Sequence, residues 1–217
     1  ARALQERPAG RLRVATPEVF AQRHIVPLLP AFLGTYPDLR IELVESAAAV
    51  DLLDAGVDLA IRITPTVNDT LIVRRLGSSR VVIVASPAYL AARGVPRHPR
   101  DLAERPTLGF SPLHWGREWR FQSDSGSAVV PVQPLLLSNA AETLRAAALA
   151  GVGLAALPSW MVFEELARGD LVQVLDDWRT AAIGIYAVYP SNRLLAAKVK
   201  LFADLIARRV RDLGLAD

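Results

Sequence analysis

Thr16-Pro17-Glu18, Thr64-Pro65, Ser86-Pro87 and Ser138-Asn139 each place a small hydroxyl side chain directly after an apolar, strand-like run. Such a hydroxyl accepts a hydrogen bond from a backbone N–H one turn on. Proline suits the first helical position because that N–H has no partner anyway. At least three of the four stretches therefore read as strand-to-helix junctions, and Asn139 with Glu142 has the spacing of a capping box. A helix N-terminus carries roughly half a positive charge and unpaired N–H donors, so two such ends facing one space suit a carboxylate or a sulfate. Singly, each hydroxyl is an ordinary cap, and only the set points to a ligand. Glu18 pulls the other way: aimed at the same space, it would oppose an anion and favour a cationic or hydroxyl group.

Residues 151–156, GVGLAA, have the G-x-G-x-x-A spacing of a dinucleotide-binding turn. That motif needs a strand before it and a helix after it, so that the helix start meets the pyrophosphate. Here the order is reversed. Residues 138–150 are rich in Ala and Leu and free of Gly and Pro, which favours helix. Residues 154–158 are a short apolar run ending in Pro158, which suits a buried strand. Gly151 is expected as a left-handed residue ending a helix, with Gly153 admitting a tight connection, and no cofactor is assigned. His24, His98 and His114 lie far apart without metal-ligand spacing and read as surface or packing residues. Trp115 and Trp119 either line the mouth of a cleft or form a small apolar cluster under a loop. Asp176-Asp177 resembles a turn, and no G-x-S-x-G or P-loop is present. No catalytic residue and no metal ligand is assigned.

These residues need elements to hold them. Residues 11–16 read as a strand, 26–36 as a helix with Pro27 and Pro30 in its first turn, and 39–46 as a second strand. A short helix ending at Gly56 and a buried strand over 57–63 follow. LIVRRL (71–76) and RVVIVAS (80–86) read as two extended runs. Alternation of this kind predicts a parallel sheet with crossover helices. Residues 94–134 are rich in Pro, Gly and Ser, with short strand-like pieces. The chain closes with a strand near 181–190 and a helix from about 192 to 213. Apolar residues at 195, 199, 202, 206, 210 and 213 of that helix form one buried stripe. Two α/β groups result, 11–82 and 83–185, and the last strand and helix (186–213) can complete the first. The chain then crosses between lobes twice, which makes a hinge with a cleft.

Composition narrows the function classes. More than half of the 217 residues are apolar, yet no run reaches the roughly 18 uninterrupted residues of a membrane span. Cysteine is absent, which excludes disulfides and thiolate metal sites and fits a reducing compartment. The net charge of +3 is carried by the ends: residues 1–13 and 193–211 are basic, and the stretch between them is mildly acidic. Arg74, Arg75 and Arg80 are the nearest approach to a basic face, and a solvated strand edge accounts for them equally well. The clustered basic surface of a nucleic-acid-binding domain is missing. The opening ARALQERPAG, with no initiator Met and no apolar leader, is expected for a fragment or a processed product.

The ordered set LRVATPEVF…PLLPAFLGTYPDLRIELVES, VDLLDAGVDLAIRI, RRLGSSRVVIVASPAYLAARGVPRHPRDLAE, LLLSNAAETLRAAALAGVGLAALPSWMV and GDLVQVLDDW…IYAVYPSNRLLAAKVKLFADLI resembles the effector-binding domain of LysR-type transcriptional regulators, over about residues 10–210. The resemblance implies two Rossmann-like lobes of the type II periplasmic-binding-protein fold, with two hinge crossovers and a small-molecule site between them. It places the effector at Thr16, Pro17, Glu18, Thr64, Ser86, Ser138 and Asn139, and the partners as a small, anionic metabolite and further copies of the chain, as dimer or tetramer. It implies cytoplasmic location, a dimer surface near 26–46, and DNA contact only through an upstream winged helix-turn-helix. ARALQERPAG would be the tail of the linker helix to that domain. The alternative is a periplasmic solute-binding protein of a transporter, which shares the fold. An enzyme on the same scaffold would need a nucleophile, base or metal set that the sequence does not show.

Overall fold

The computed structural model describes residues 8–45, 56–67, 72–112, 117–190 and 196–215. Strand β1 (Gly10–Thr16) alternates exposed and buried residues before becoming wholly buried at its end. The chain then turns helical earlier than the prolines predict. Helix α1 (Glu18–Phe20) runs into a π-helical turn, Ala21–Ile25, then a 3₁₀ turn, Val26–Leu28, and helix α2 (Leu29–Thr35). Pro27 and Pro30 fall in the first turns of the last two pieces, where a missing N–H costs least. Strands β2 (Leu39–Glu45) and β3 (Leu59–Thr64) follow. The short helix expected between them lies outside the described residues.

The two extended runs expected over 71–86 are one long strand, β4 (Ile72–Ala85). Helix α3 (Pro87–Arg93) leads to strand β5 (Thr107–Phe110). The Pro-, Gly- and Ser-rich stretch then yields a hairpin of strands β6 (Glu118–Ser123) and β7 (Gly126–Pro131), which the expectation of loose pieces missed. Strand β8 (Pro134–Ser138), helix α4 (Ala141–Leu149), strand β9 (Leu154–Pro158) and helix α5 (Ser159–Arg168) come next. Strands β10 (Val172–Val174) and β11 (Ala182–Tyr189) and helix α6 (Ala197–Asp212) complete the chain.

Two compact units result, Ala1–Ser78 with Gly184–Asp217 and Ser79–Ile183. The chain passes from the first to the second within β4 and returns within β11. In the first unit the strand order is β2-β1-β3-β11. The first three strands are parallel, and β11 runs antiparallel to β3. In the second unit the order is β4-β9-β5-β8, with β10 also beside β4. Here β9, β5 and β8 are parallel, and β4 is antiparallel to β9. The expected all-parallel sheet is thus mixed. Each unit takes one antiparallel strand, and in both it is a strand that carries the chain from one unit to the other.

The buried residues of the first unit include Phe20, Ile25, Leu39 and Leu59 and the α6 stripe of Val199, Phe202, Ile206 and Val210. Phe32 meets Phe202 edge to face at 5.6 Å. In the second unit Ile83, Ala85 and Leu154 pack under Trp119, Phe121 and Val130 of the hairpin. Arg179 anchors the hairpin by exchanging backbone hydrogen bonds with Gln122 at 2.7 and 2.8 Å and by pairing with Asp124.

Candidate functional site

In the first unit, Thr16 ends β1 and Thr64 ends β3. These strands are parallel neighbours, with Ala15 opposite Ala60, so both hydroxyls leave the sheet at one edge. Gly184 lies opposite Thr64, which makes this the edge where β11 enters the unit. Thr16 is buried and its hydroxyl is 3.4 Å from the Pro17 carbonyl oxygen. The hydroxyl does not cap the helix: Pro17 occupies the cap position without a side-chain bond, because Glu18 rather than Pro17 is the first helical residue. Thr64 is half-buried and donates to the Thr66 carbonyl at 2.9 Å. Exposed Glu18 accepts from Gln22 Nε2 at 3.1 Å, which draws its carboxylate along the helix. Three α-helical residues follow Pro17 before the helix widens into the π-helical turn Ala21–Ile25.

In the second unit, Ser86 is the helix cap the sequence implies, accepting from Tyr89 N–H at 3.3 Å. Ser138 instead accepts from Ala140 N–H, two residues on, at 3.1 Å, and α4 starts at Ala141. The capping box of Asn139 and Glu142 does not form. Glu142 is held by Arg145, whose Nε lies 2.9 Å from it, and Asn139 stands exposed on the turn. Arg145 also reaches buried Glu165 at 2.6 Å, and its pKa is raised chiefly by the Glu142 hydrogen bond.

The register separates the two serines. Val81 lies opposite Pro158 and Val84 opposite Ala155, whereas Leu108 pairs with Ala155 and Phe110 with Ser138. Ser138 is therefore at the edge where β4 enters the unit. Ser86 is at the other edge, buried, with its hydroxyl 3.4 Å from where a Cβ on Gly151 would stand. Thr16 and Thr64 share an edge in one unit, and Ser138 with Asn139 holds an edge in the other. Ser86 does not join Ser138.

The sequence singled out Trp119, which lines a hollow among the described residues. That hollow, about 560 Å³, belongs wholly to the second unit. Its floor is one sheet face: Ile83 and Ala156 are cross-strand neighbours, and Val81 is two residues along. Buried Trp119 forms a wall with Thr180 and Ala181, and Arg117 and Arg120 line it as well. Thr180 donates its hydroxyl proton to the Val81 carbonyl. Arg120 is taken up by Glu118 at 2.8 Å. The available signal was period-two alternation in EWRFQ, which turns Trp119 and Phe121 inward and Glu118 and Arg120 outward.

The remaining candidates are structural. Gly151, at φ +78°, ends α4 with the paired bonds Val152 N–H to Ala147 O and Gly151 N–H to Ala148 O, both 3.0 Å. A Cβ at Gly153 would sit 2.7 Å from the Pro106 carbonyl oxygen. His24 is buried against Phe20, and His98 Nδ1 accepts from Arg100 N–H at 3.2 Å while its ring packs on Trp178. His114 and Trp115 lie outside the described residues. Among the described residues no group of His, Asp and Glu is arranged to hold a metal, and no helix is long and apolar enough to cross a membrane.

Comparison with known proteins gives the context. Residues 5–211 match the family model described as the LysR substrate binding domain. The chain is 35% identical over 203 residues to the HTH-type transcriptional regulator PtxR of Pseudomonas aeruginosa, covering 94% of this chain and 65% of PtxR. It is 33% identical to the HTH-type transcriptional regulator DmlR of Escherichia coli, covering 92% of this chain and 65% of DmlR. Among solved structures, the LysR-type regulator CrgA of Neisseria meningitidis superposes with a TM-score of 0.84 at 28% identity, over 96% of this chain and 71% of that one. Full-length AphB of Vibrio cholerae gives 0.80 at 31%, over 93% and 69%.

Proposed function

Because the chain belongs to the LysR substrate-binding domain family, we propose that it is the effector-sensing part of a longer regulator of transcription, receiving a small anionic metabolite at its hydroxyl-bearing strand ends. Its mixed α/β fold is that of LysR-type regulatory domains, a type II periplasmic-binding-protein-like fold. The chain spans about two thirds of the length of the relatives it matches, so DNA contact falls to a separate helix-turn-helix segment. Relatives named as regulators favour this reading over a transporter's solute-binding protein. The parent protein then works in the cytoplasm, where its DNA lies.

The observation that carries the site is edge placement. Thr16 and Thr64 in one unit, and Ser138 with Asn139 in the other, occupy the edges where the connecting strands enter. Ligands of open α/β sheets bind beyond strand carboxyl ends. The resemblance named Ser86 too, but Ser86 stands on the far edge as a cap, and we leave it out of the site. Exposed Leu135 (69%) and Leu137 (50%) on the edge strand β8 suit contact with a second copy. A promoter-binding assay on the full-length parent, with and without metabolite, tests the regulatory reading. Shifted DNA affinity or footprint is the expected result, and indifference to every ligand the isolated chain binds contradicts it.

A further inference from the structure

The hollow of the second unit has a chemical character of its own. Val81, Ile83, Ala156 and Trp119 make its floor and wall apolar. Ala156 is the reason there is room: it stands opposite Ile83 in the register, where a larger side chain would fill the space. Of the charged groups that line the hollow, Glu118 and Arg120 are committed to one another at 2.8 Å. Arg117 is exposed and has no ion-pair partner among the described residues, so the lining carries one uncompensated positive charge. Val81, Thr180 and Ala181 place the hollow at the edge where β4 enters this unit, the edge that also holds Ser138.

We infer that the effector is an amphipathic monocarboxylate, with its apolar body in this hollow and its carboxylate at Arg117. The inference rests on the sensor reading and narrows it from any small anion to one charge on an apolar frame. An apolar body gains by leaving water for Val81, Ile83 and Trp119. A guanidinium binds a carboxylate with two parallel hydrogen bonds. A second carboxylate would meet the apolar floor without a partner, which costs more than the contact returns. Polyphosphates need several cations or N–H donors, and this lining offers one free cation.

Calorimetry on the 217-residue chain with phenylacetate, hexanoate, succinate and phenylacetamide tests the assignment. Phenylacetate and hexanoate are expected to bind, and succinate to bind at least tenfold more weakly. Arg117→Gln should weaken both monocarboxylates by about tenfold or more and leave phenylacetamide unchanged, the loss of an exposed, charged hydrogen-bonding partner. Ala156→Leu should weaken all apolar ligands, and Ala156→Val supplies the same test with a smaller plug if the leucine variant fails to fold. Phenylacetate binding that ignores both positions overturns the inference. Succinate binding that responds to Thr16→Val but not to position 156 overturns it while leaving the sensor reading intact. Failure of all four probes overturns it as well, and a broad panel of small organic acids then judges the sensor reading separately.

Discussion

At the scale of single residues, backbone geometry fixes several identities more tightly than any ligand does. Gly153→Ala would drive a methyl against the Pro106 carbonyl at 2.7 Å. Because that neighbour is backbone, the expected cost is about 1–3 kcal/mol in urea unfolding, with β9 displaced from β5. Asp101 accepts the backbone N–H groups of Arg97 and His98 at 2.9 and 3.0 Å, and these bonds hold its carboxyl below the usual range. A carboxyl held low in the folded state stabilises above its unfolded pKa near 4, and that stabilisation fades as pH falls through the folded value. Asp101→Asn should therefore cost about 0.5 kcal/mol at pH 7, discounted for exposure, with the cost shrinking as pH falls below about 4, as read by thermal melts across pH. Gly151 and Ser86 were legible in the sequence because a helix-ending glycine and a Ser-Pro cap are local signals. Glu142 was not: a capping box competes with any cation three residues on, and Arg145 takes the carboxylate. Thr16 misled for a related reason, since Pro17 rather than Thr16 stands at the helix boundary.

At the scale of elements, α4 and α5 are tied by charge rather than by packing alone. Arg145 bridges Glu142 on its own helix and Glu165 on α5, where Glu165 is 2% exposed and Arg168 stands farther off at 3.7 Å. Arg145→Met should cost about 2–4 kcal/mol in urea unfolding, because it strips a buried carboxylate of its nearer cation. A loss below about 0.5 kcal/mol would show that Arg168 suffices. The α6 stripe could be read from sequence because 3.6-residue periodicity survives in any long amphipathic helix. Its buried residues 199, 202, 206 and 210 were among those expected. The β6–β7 hairpin could not be read as easily. Asp124-Ser125-Gly126 is a turn signal, but it sits among other Gly, Pro and Ser residues, and a few apolar residues, Trp119, Phe121 and Val130, mark the inward face. Strand direction was the larger omission. Alternating strands and helices suggest parallel pairing, and nothing in the local pattern of β4 or β11 says that each will lie antiparallel to its neighbour.

At the scale of the whole molecule, strand direction within each unit decides which strand ends share an edge. Thr16 and Thr64 come together because β1 and β3 are parallel neighbours, and Ser138 and Ser86 part because β8 and β4 run in opposite senses. The sequence identified the hydroxyls but not this sorting, which depends on register. The most direct test is a thermal-shift and calorimetric screen of the 217-residue chain against a broad panel of small organic acids, repeated with Thr16→Val, Ser138→Ala and Ser86→Ala. A ligand present at 100 times its Kd should add about 2.7 kcal/mol to the stability of the native state. At least one such acid is expected to bind, with affinity reduced about tenfold or more by Thr16→Val or by Ser138→Ala and unchanged by Ser86→Ala. A panel in which no acid binds, or a ligand whose affinity depends on Ser86 and ignores Thr16 and Ser138, would contradict it.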